Sequence, residues 1–114
     1  GAEAAKRGLV AARETETRLM FRTLQTTARV LSNPVAEEVL SLERRPGGCT
    51  FEDLRALVAG ARGRDALASG AVDDGVIWAG QVVGLITDIP TCEELLRRMV
   101  AQCRQRLADA ASLC

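Results

Sequence analysis

Proton transfer is the first chemistry that the residue types restrict. The 114-residue chain has no histidine and no tyrosine, so two common general acid–base side chains are absent. Catalysis by this chain alone would fall to Asp, Glu, Cys or Lys6, its only lysine. No serine or cysteine sits in a recognisable nucleophile setting. The glycine-containing stretch GARGRD, Gly60–Asp65, lacks the Lys-Ser/Thr pair that a phosphate loop requires. Cys49, Cys92, Cys103 and Cys114 form no CxxC pair, and without histidine the mixed Cys/His zinc sites are excluded. The last three recur every eleven residues, nearly one helix face. They read as small apolar residues on or beside a buried stripe rather than as a metal or disulfide set, and reduced thiols fit a cytoplasmic protein. Asp73 and Asp74 in AVDDG could hold a metal or share a proton, but beside a helix start they read as an exposed acidic turn. No catalytic residue and no metal ligand is assigned.

The bulk composition narrows the class. Apolar residues make up 47% and charged residues 26%, which fits one globular unit and excludes a disordered chain. Acidic and basic residues both number 15, so no net field favours nucleic acid or an anionic membrane. The arginines read as solvated helix faces neutralised by neighbouring carboxylates, not as phosphate clamps. The N-terminal stretch Gly1–Arg13 is charged and does not read as a signal peptide. The longest apolar run, Val76–Ile86, is far short of the roughly 20 residues that span a bilayer.

Periodicity and caps then place the elements, and most are helical. Ala2–Glu14 is helix-prone, with Ala5, Leu9 and Ala12 on a weak apolar face. Thr17–Leu24 has strand-like content, and it is the one short strand expected. In SNPVAEEVLSLERR, Asn33 is the N-cap, Pro34 the first helical residue, and Val35, Val39, Leu40 and Leu42 the apolar side. Pro46–Gly48 ends that helix. Thr50 and Asp53 make a variant capping box for a helix with Leu54, Leu57 and Val58 inward, and a second short helix follows at about Arg64–Ala68. Thr91 and Glu94 cap the strongest helix, whose predicted buried face is Leu95, Leu96, Met99, Val100, Cys103 and Leu107. Residues 1–114 read as a single helical unit, with no repeat or linker.

The run VIWAGQVVGLI, Val76–Ile86, holds the only tryptophan. Read as a helix it is apolar nearly all round, which predicts burial, with Gly80 and Gly84 on one side admitting another backbone or a flat ligand. If buried, Gln81 must find hydrogen-bond partners.

WAGQVVGLI, preceded by ASGAVDDGVI and followed by a long amphipathic helix, resembles the C-terminal end of the nitronate monooxygenases, or 2-nitropropane dioxygenases, which are FMN-dependent flavoenzymes. The AGQ-x-x-G-L-I pattern at Ala79–Ile86 carries most of it. TARVLSN, Thr27–Asn33, is similar to the family segment with an arginine and an asparagine at the spacing of Arg29 and Asn33. The likeness runs from about Thr17 to about Leu107. AGQ-type ends also occur in the related flavin-dependent enoyl-ACP reductases.

The resemblance implies a mainly α fold: the helical cap and closing-helix region of a TIM-barrel flavoenzyme, with the barrel portion absent, since the barrel needs about 200 residues or more. The family's base is a histidine of the barrel and its phosphate-binding glycines lie upstream, so no catalytic residue carries over. FMN is expected in the intact parent and no cofactor in this chain alone. Gly80 and Gln81 are the expected cofactor-side residues, with Trp78 lining the pocket mouth: glycine for close approach, the amide for a flavin edge, substrate or backbone, and the indole to exclude water. The expected partner is the missing barrel portion. A stand-alone helical module that self-associates through exposed apolar faces is the alternative from a different class.

Overall fold

The computed structural model describes residues 2–113, so Gly1 and Cys114, including the expected place of Cys114 on a helix stripe, lie outside the described residues. In chain order the elements are α1 (Ala2–Ala11), β1 (Thr17–Met20), β2 (Ala28–Leu31), α2 (Pro34–Glu43), α3 (Phe51–Val58), α4 (Gly60–Ser69), short 3-10 helices at Val72–Asp74 and Gln81–Leu85, and α5 (Cys92–Ala111). The fold is mainly helical, as expected.

The expected strand forms, but it pairs with a second one. β1 and β2 run antiparallel, with Thr17 opposite Leu31 and Met20 opposite Ala28. The connecting turn starts at Phe21, which takes φ 62°, and includes Gln25 at φ 58°. Each left-handed non-glycine residue costs roughly 1–2 kcal/mol. The buried Glu43 holds this turn: its carboxylate accepts from the backbone N–H of Phe21 (3.0 Å) and Thr23 (3.2 Å) and from the Thr23 hydroxyl (2.8 Å).

The helix caps follow the sequence. Asn33 Oδ1 accepts from the Ala36 N–H at 2.9 Å and Pro34 opens α2. The Asp53 carboxylate accepts from the N–H and hydroxyl of Thr50 at 2.7 and 2.9 Å. α3 ends at Val58, where Ala59 takes an extended ψ of 130°, and α4 starts at once, earlier and longer than the expected Arg64–Ala68 helix. Met20, Val30, Ala36, Val39 and Leu54 form the core between the hairpin, α2 and α3. α1 packs against α4 and the 3-10 helix Gln81–Leu85, with Ala5 buried and Leu9 half-buried on it and Ala12 half-buried just past its end.

Two expectations fail. Val76–Ile86 is not a buried helix. Its first residues are extended and add to the free edge of β2: the Leu31 N–H donates to Ile77 O at 2.8 Å, the Ala79 N–H to Arg29 O at 3.4 Å, and Val30 bridges Trp78. β-branched Val76 and Ile77 suit that role, and glycines at 75 and 80 leave too few residues between them to nucleate a helix. The second half is the 3-10 helix, in which Val83 is buried while Leu85 is 80% exposed. The predicted buried face of α5 is also exposed: none of its twenty residues is buried, and Leu96 and Leu107 are 62% and 67% exposed. Cys92 and Cys103 are exposed with it, so the stripe they were expected to share has no cover among the described residues. The molecule is correspondingly long, 54 × 36 × 20 Å with a radius of gyration of 17.4 Å, against about 13 Å for a compact 100-residue domain.

A candidate functional site at an aromatic concavity

Aromatic residues are scarce here, two Phe and one Trp, and all three line one concavity of about 520 Å³. Phe21 comes from the turn after β1, Phe51 opens α3, and Trp78 lies on the segment bridged to β2. Val58, Gly63, Leu67 and Val76 complete an apolar wall, and Arg64 supplies a cation. The volume falls in the range of small-molecule pockets, which are mostly apolar with a few polar groups.

Long-range backbone contacts build this concavity. The left-handed Phe21, held by Glu43, redirects the chain at the end of β1. Asn33 ties the opposite side: its amide donates to Gly75 O at 2.7 Å and Val72 O at 3.1 Å, fixing the loop that leads into Trp78. That loop lies tight on α4, where a Cβ on Gly75 would come within 2.9 Å of both Ala66 Cβ and Gly63 Cα. Asp73 and Asp74 are exposed in the 3-10 turn, as the acidic-turn reading expects.

The structure separates the three residues singled out in the sequence. Trp78, 66% exposed, forms part of the concavity, whereas Gly80 and Gln81 are not among its lining residues. Gln81 is exposed at the start of the 3-10 helix, so burial does not oblige it to find a partner. Its amide and the Trp78 indole N–H have no hydrogen-bond partner among the described residues. Among the described residues the close approach in this run is at Gly84. A Cβ on Gly84 would meet the Glu14 backbone nitrogen at 2.9 Å, while one on Gly80 meets only Val82 Cγ2 at 3.8 Å. Phe21 and Phe51 escaped the sequence reading. Their scarcity was the available signal, because nothing local links positions 21, 51 and 78.

For a flavin, these residues fit one wall of a site. The concavity is lined by three aromatic residues and Trp78 keeps an indole N–H free among the described residues, but Gln81 lies outside its lining and no glycine-rich cradle for a phosphate accompanies it. Among the described residues there is also no cluster of His, Cys, Asp and Glu able to hold a metal. No described helix is long and apolar enough to cross a membrane.

No protein-family model matches the chain. Among solved structures, that of FabK from Thermotoga maritima superposes with a TM-score of 0.78 at 20% sequence identity, over 98% of this chain and 34% of FabK. The chain thus shares its fold with part of FabK and spans about a third of that protein's length.

Proposed function

We propose that this chain is the C-terminal helical region of an FMN-dependent oxidoreductase of the nitronate monooxygenase kind, shaping the flavin and substrate pocket without being catalytic itself. The observation that carries this reading is the superposition of nearly the whole chain on a third of FabK, a flavin-dependent enoyl-ACP reductase. The AGQ-x-x-G-L-I pattern at Ala79–Ile86 supports it independently. In such a parent the remaining two thirds form a barrel that holds FMN, and FMN supplies the electron transfer. This chain's part is to present Trp78 and the concavity beside it as a water-excluding wall, with Gln81 donating to or accepting from a neighbour on the barrel side. The exposed α5 stripe is the surface on which that barrel packs.

The absence of histidine from this chain fits a role without proton transfer. The likeness to FabK also gives a second reading within the same class, an enoyl-ACP reductase parent. Turnover of the full-length enzyme with a nitronate or with an enoyl thioester separates the two.

Absorbance of the purified chain mixed with FMN and desalted tests the reading directly. The expected chain is colourless, and one equivalent of retained FMN would contradict it. In the full-length enzyme, Gln81→Ala is expected to weaken FMN affinity or turnover, and unchanged values would leave Gln81 without a pocket role. Sedimentation tests the cover on α5: growth into oligomers with concentration would favour a self-associating module over a barrel-bound one.

A further inference from the structure

A second cleft, of about 480 Å³, lies apart from the aromatic concavity and is lined by arginines from four places in the chain. Arg18 stands on β1, Arg22 in the turn, Arg29 on β2 and Arg44 at the C-terminal end of α2. Only Arg18 is neutralised, through its Nε bond to Glu37 Oε1 at 2.7 Å. Among the described residues Arg22, Arg29 and Arg44 form no ion pair. Glu43 also lines the cleft, and although its oxygens accept three hydrogen bonds from Phe21 and Thr23 it keeps its negative charge, so the four arginines still outnumber Glu43 and Glu37.

Arg44 has a reason of its own to be there, because a cation is favoured at a helix C-terminus. Arg22 and Arg29 do not. Arg29 Nη1 donates to Thr17 Oγ1 at 2.8 Å, which steadies the guanidinium and leaves its other N–H groups without acceptors among the described residues. Like charges around one concavity repel unless an anion sits between them. Guanidinium forks match the oxygens of phosphate bidentately. The half-buried Leu19 and Leu40 in the same cleft provide an apolar surface beside the cations. We propose that this cleft binds an organic phosphate ester, its phosphoryl oxygens taken by Arg22, Arg29 and Arg44 and its carbon portion laid on Leu19 and Leu40. The site is separate from the flavin wall and does not depend on that reading.

Calorimetric titration of the 114-residue chain at one low ionic strength, with inorganic phosphate and with phenyl phosphate, tests the proposal. One saturable site is expected for phenyl phosphate, with weaker binding of inorganic phosphate. Arg22→Gln and Arg29→Gln are each expected to lower affinity about tenfold, the worth of a charge-assisted hydrogen bond. Arg104→Gln, on α5, is the control expected to bind as the unaltered chain does. Circular dichroism checks that each variant folds. Arg22 is exposed on its turn, so its variant carries the test if loss of the Thr17 contact unfolds Arg29→Gln. Absence of a saturable site, equal affinity for the two probes, unaltered affinity in Arg22→Gln, or an equal loss in Arg104→Gln would overturn the proposal.

Discussion

The hairpin, α2 and α3 on one side and α5 on the other are built from similar apolar periodicity, yet they end in opposite states. In the first region Leu54 is 0% exposed, and Met20, Val30, Ala36 and Val39 close around it. In α5, Leu95, Leu96, Met99, Val100 and Leu107 repeat with equal regularity, and none is buried. An amphipathic stripe requires a covering surface, but it does not say that the surface belongs to the same chain. Here one stripe finds its cover within the chain and the other has none among the described residues.

Truncations should separate the two regions most strongly. Leu54→Ala removes a fully buried side chain and is expected to cost about 2–5 kcal/mol. Leu96→Ala on the exposed stripe is expected to stay within about 0.5 kcal/mol. Denaturant unfolding of the isolated chain measures both. A loss of several kcal/mol in Leu96→Ala would mean that α5 is covered in solution, by a second copy or by its own chain. Under the proposed reading, the same variant placed in a barrel-containing parent is expected to become destabilising, since the barrel would then lie against that face.

What could be read from the sequence divides along a similar line. Asn33, Thr50 and Thr91 begin helices as predicted, because a cap is satisfied within a few residues and needs nothing from elsewhere. β2 was not foreseen. Ala28–Leu31 has only four residues, and its pairing is set by Thr17–Met20 on one edge and Ile77–Ala79 on the other. The same partner decides the fate of Val76–Ala79, which reads as helix alone but extends to satisfy the edge of β2. Trp78 stands out in the sequence by its rarity, whereas Phe21 and Phe51 reach the same concavity only through the fold. The arginine cleft was hidden for the same reason. In sequence Arg18 and Arg44 have carboxylates nearby while Arg22 and Arg29 lie in the acid-free stretch 17–36, and only the fold brings the four to one cleft, where Glu43 turns to the hairpin turn and Glu37 to Arg18.

A smaller effect is expected at the joint that places Trp78. Asn33→Asp keeps the acceptor that caps α2 and removes the donors to Val72 O and Gly75 O. Each lost hydrogen bond is worth roughly 0.5–1.5 kcal/mol. A helix cap lost in Asn33→Ala adds about 1 kcal/mol. Trp78 emission should therefore shift in both variants, while stability falls further in Asn33→Ala. Equal stability of the two would mean that repulsion between the new carboxylate and the Val72 and Gly75 carbonyls offsets the retained cap.

The glycines of AGQVVGL should respond unequally. Gly84→Ala drives a Cβ to within 2.9 Å of the Glu14 backbone and is expected to cost about 1–3 kcal/mol through overpacking, loosening Gln81–Leu85 from the end of α1. Gly80→Ala, with 3.8 Å to its nearest neighbour, is expected to be nearly neutral in the isolated chain. Hydrogen exchange across residues 80–90 distinguishes them. If Gly80→Ala instead disturbs only the proposed barrel-containing parent, close approach at Gly80 would belong to its interface with the barrel.

The smallest effect concerns the attachment of α5, and acid should expose it. Arg98 donates to Asp88 through two bonds, at 2.6 and 3.0 Å, and to Glu94 at 2.6 Å, joining the segment before α5 to its first turns. Its hydrogen bond holds the Asp88 carboxyl below the ordinary value of 3.8. A depressed carboxylate pKa contributes stability above 3.8 that is lost as the pH falls through the folded-state value. Asp53 moves in the same direction because the Thr50 backbone N–H donates to it, but its helix is also held by buried Leu54. Acidification from about pH 5 to about pH 2 should therefore lower hydrogen-exchange protection, taken relative to the intrinsic rate at each pH, at residues 86–95 before it does so in α3. Asp88 is exposed and Arg98 half-buried, so salt should reduce the difference in part. Arg98→Gln should give the fast exchange at 86–95 already at about pH 5 and remove its dependence on acid, leaving the response of α3 in place. An unchanged acid response in Arg98→Gln would show that another group anchors α5.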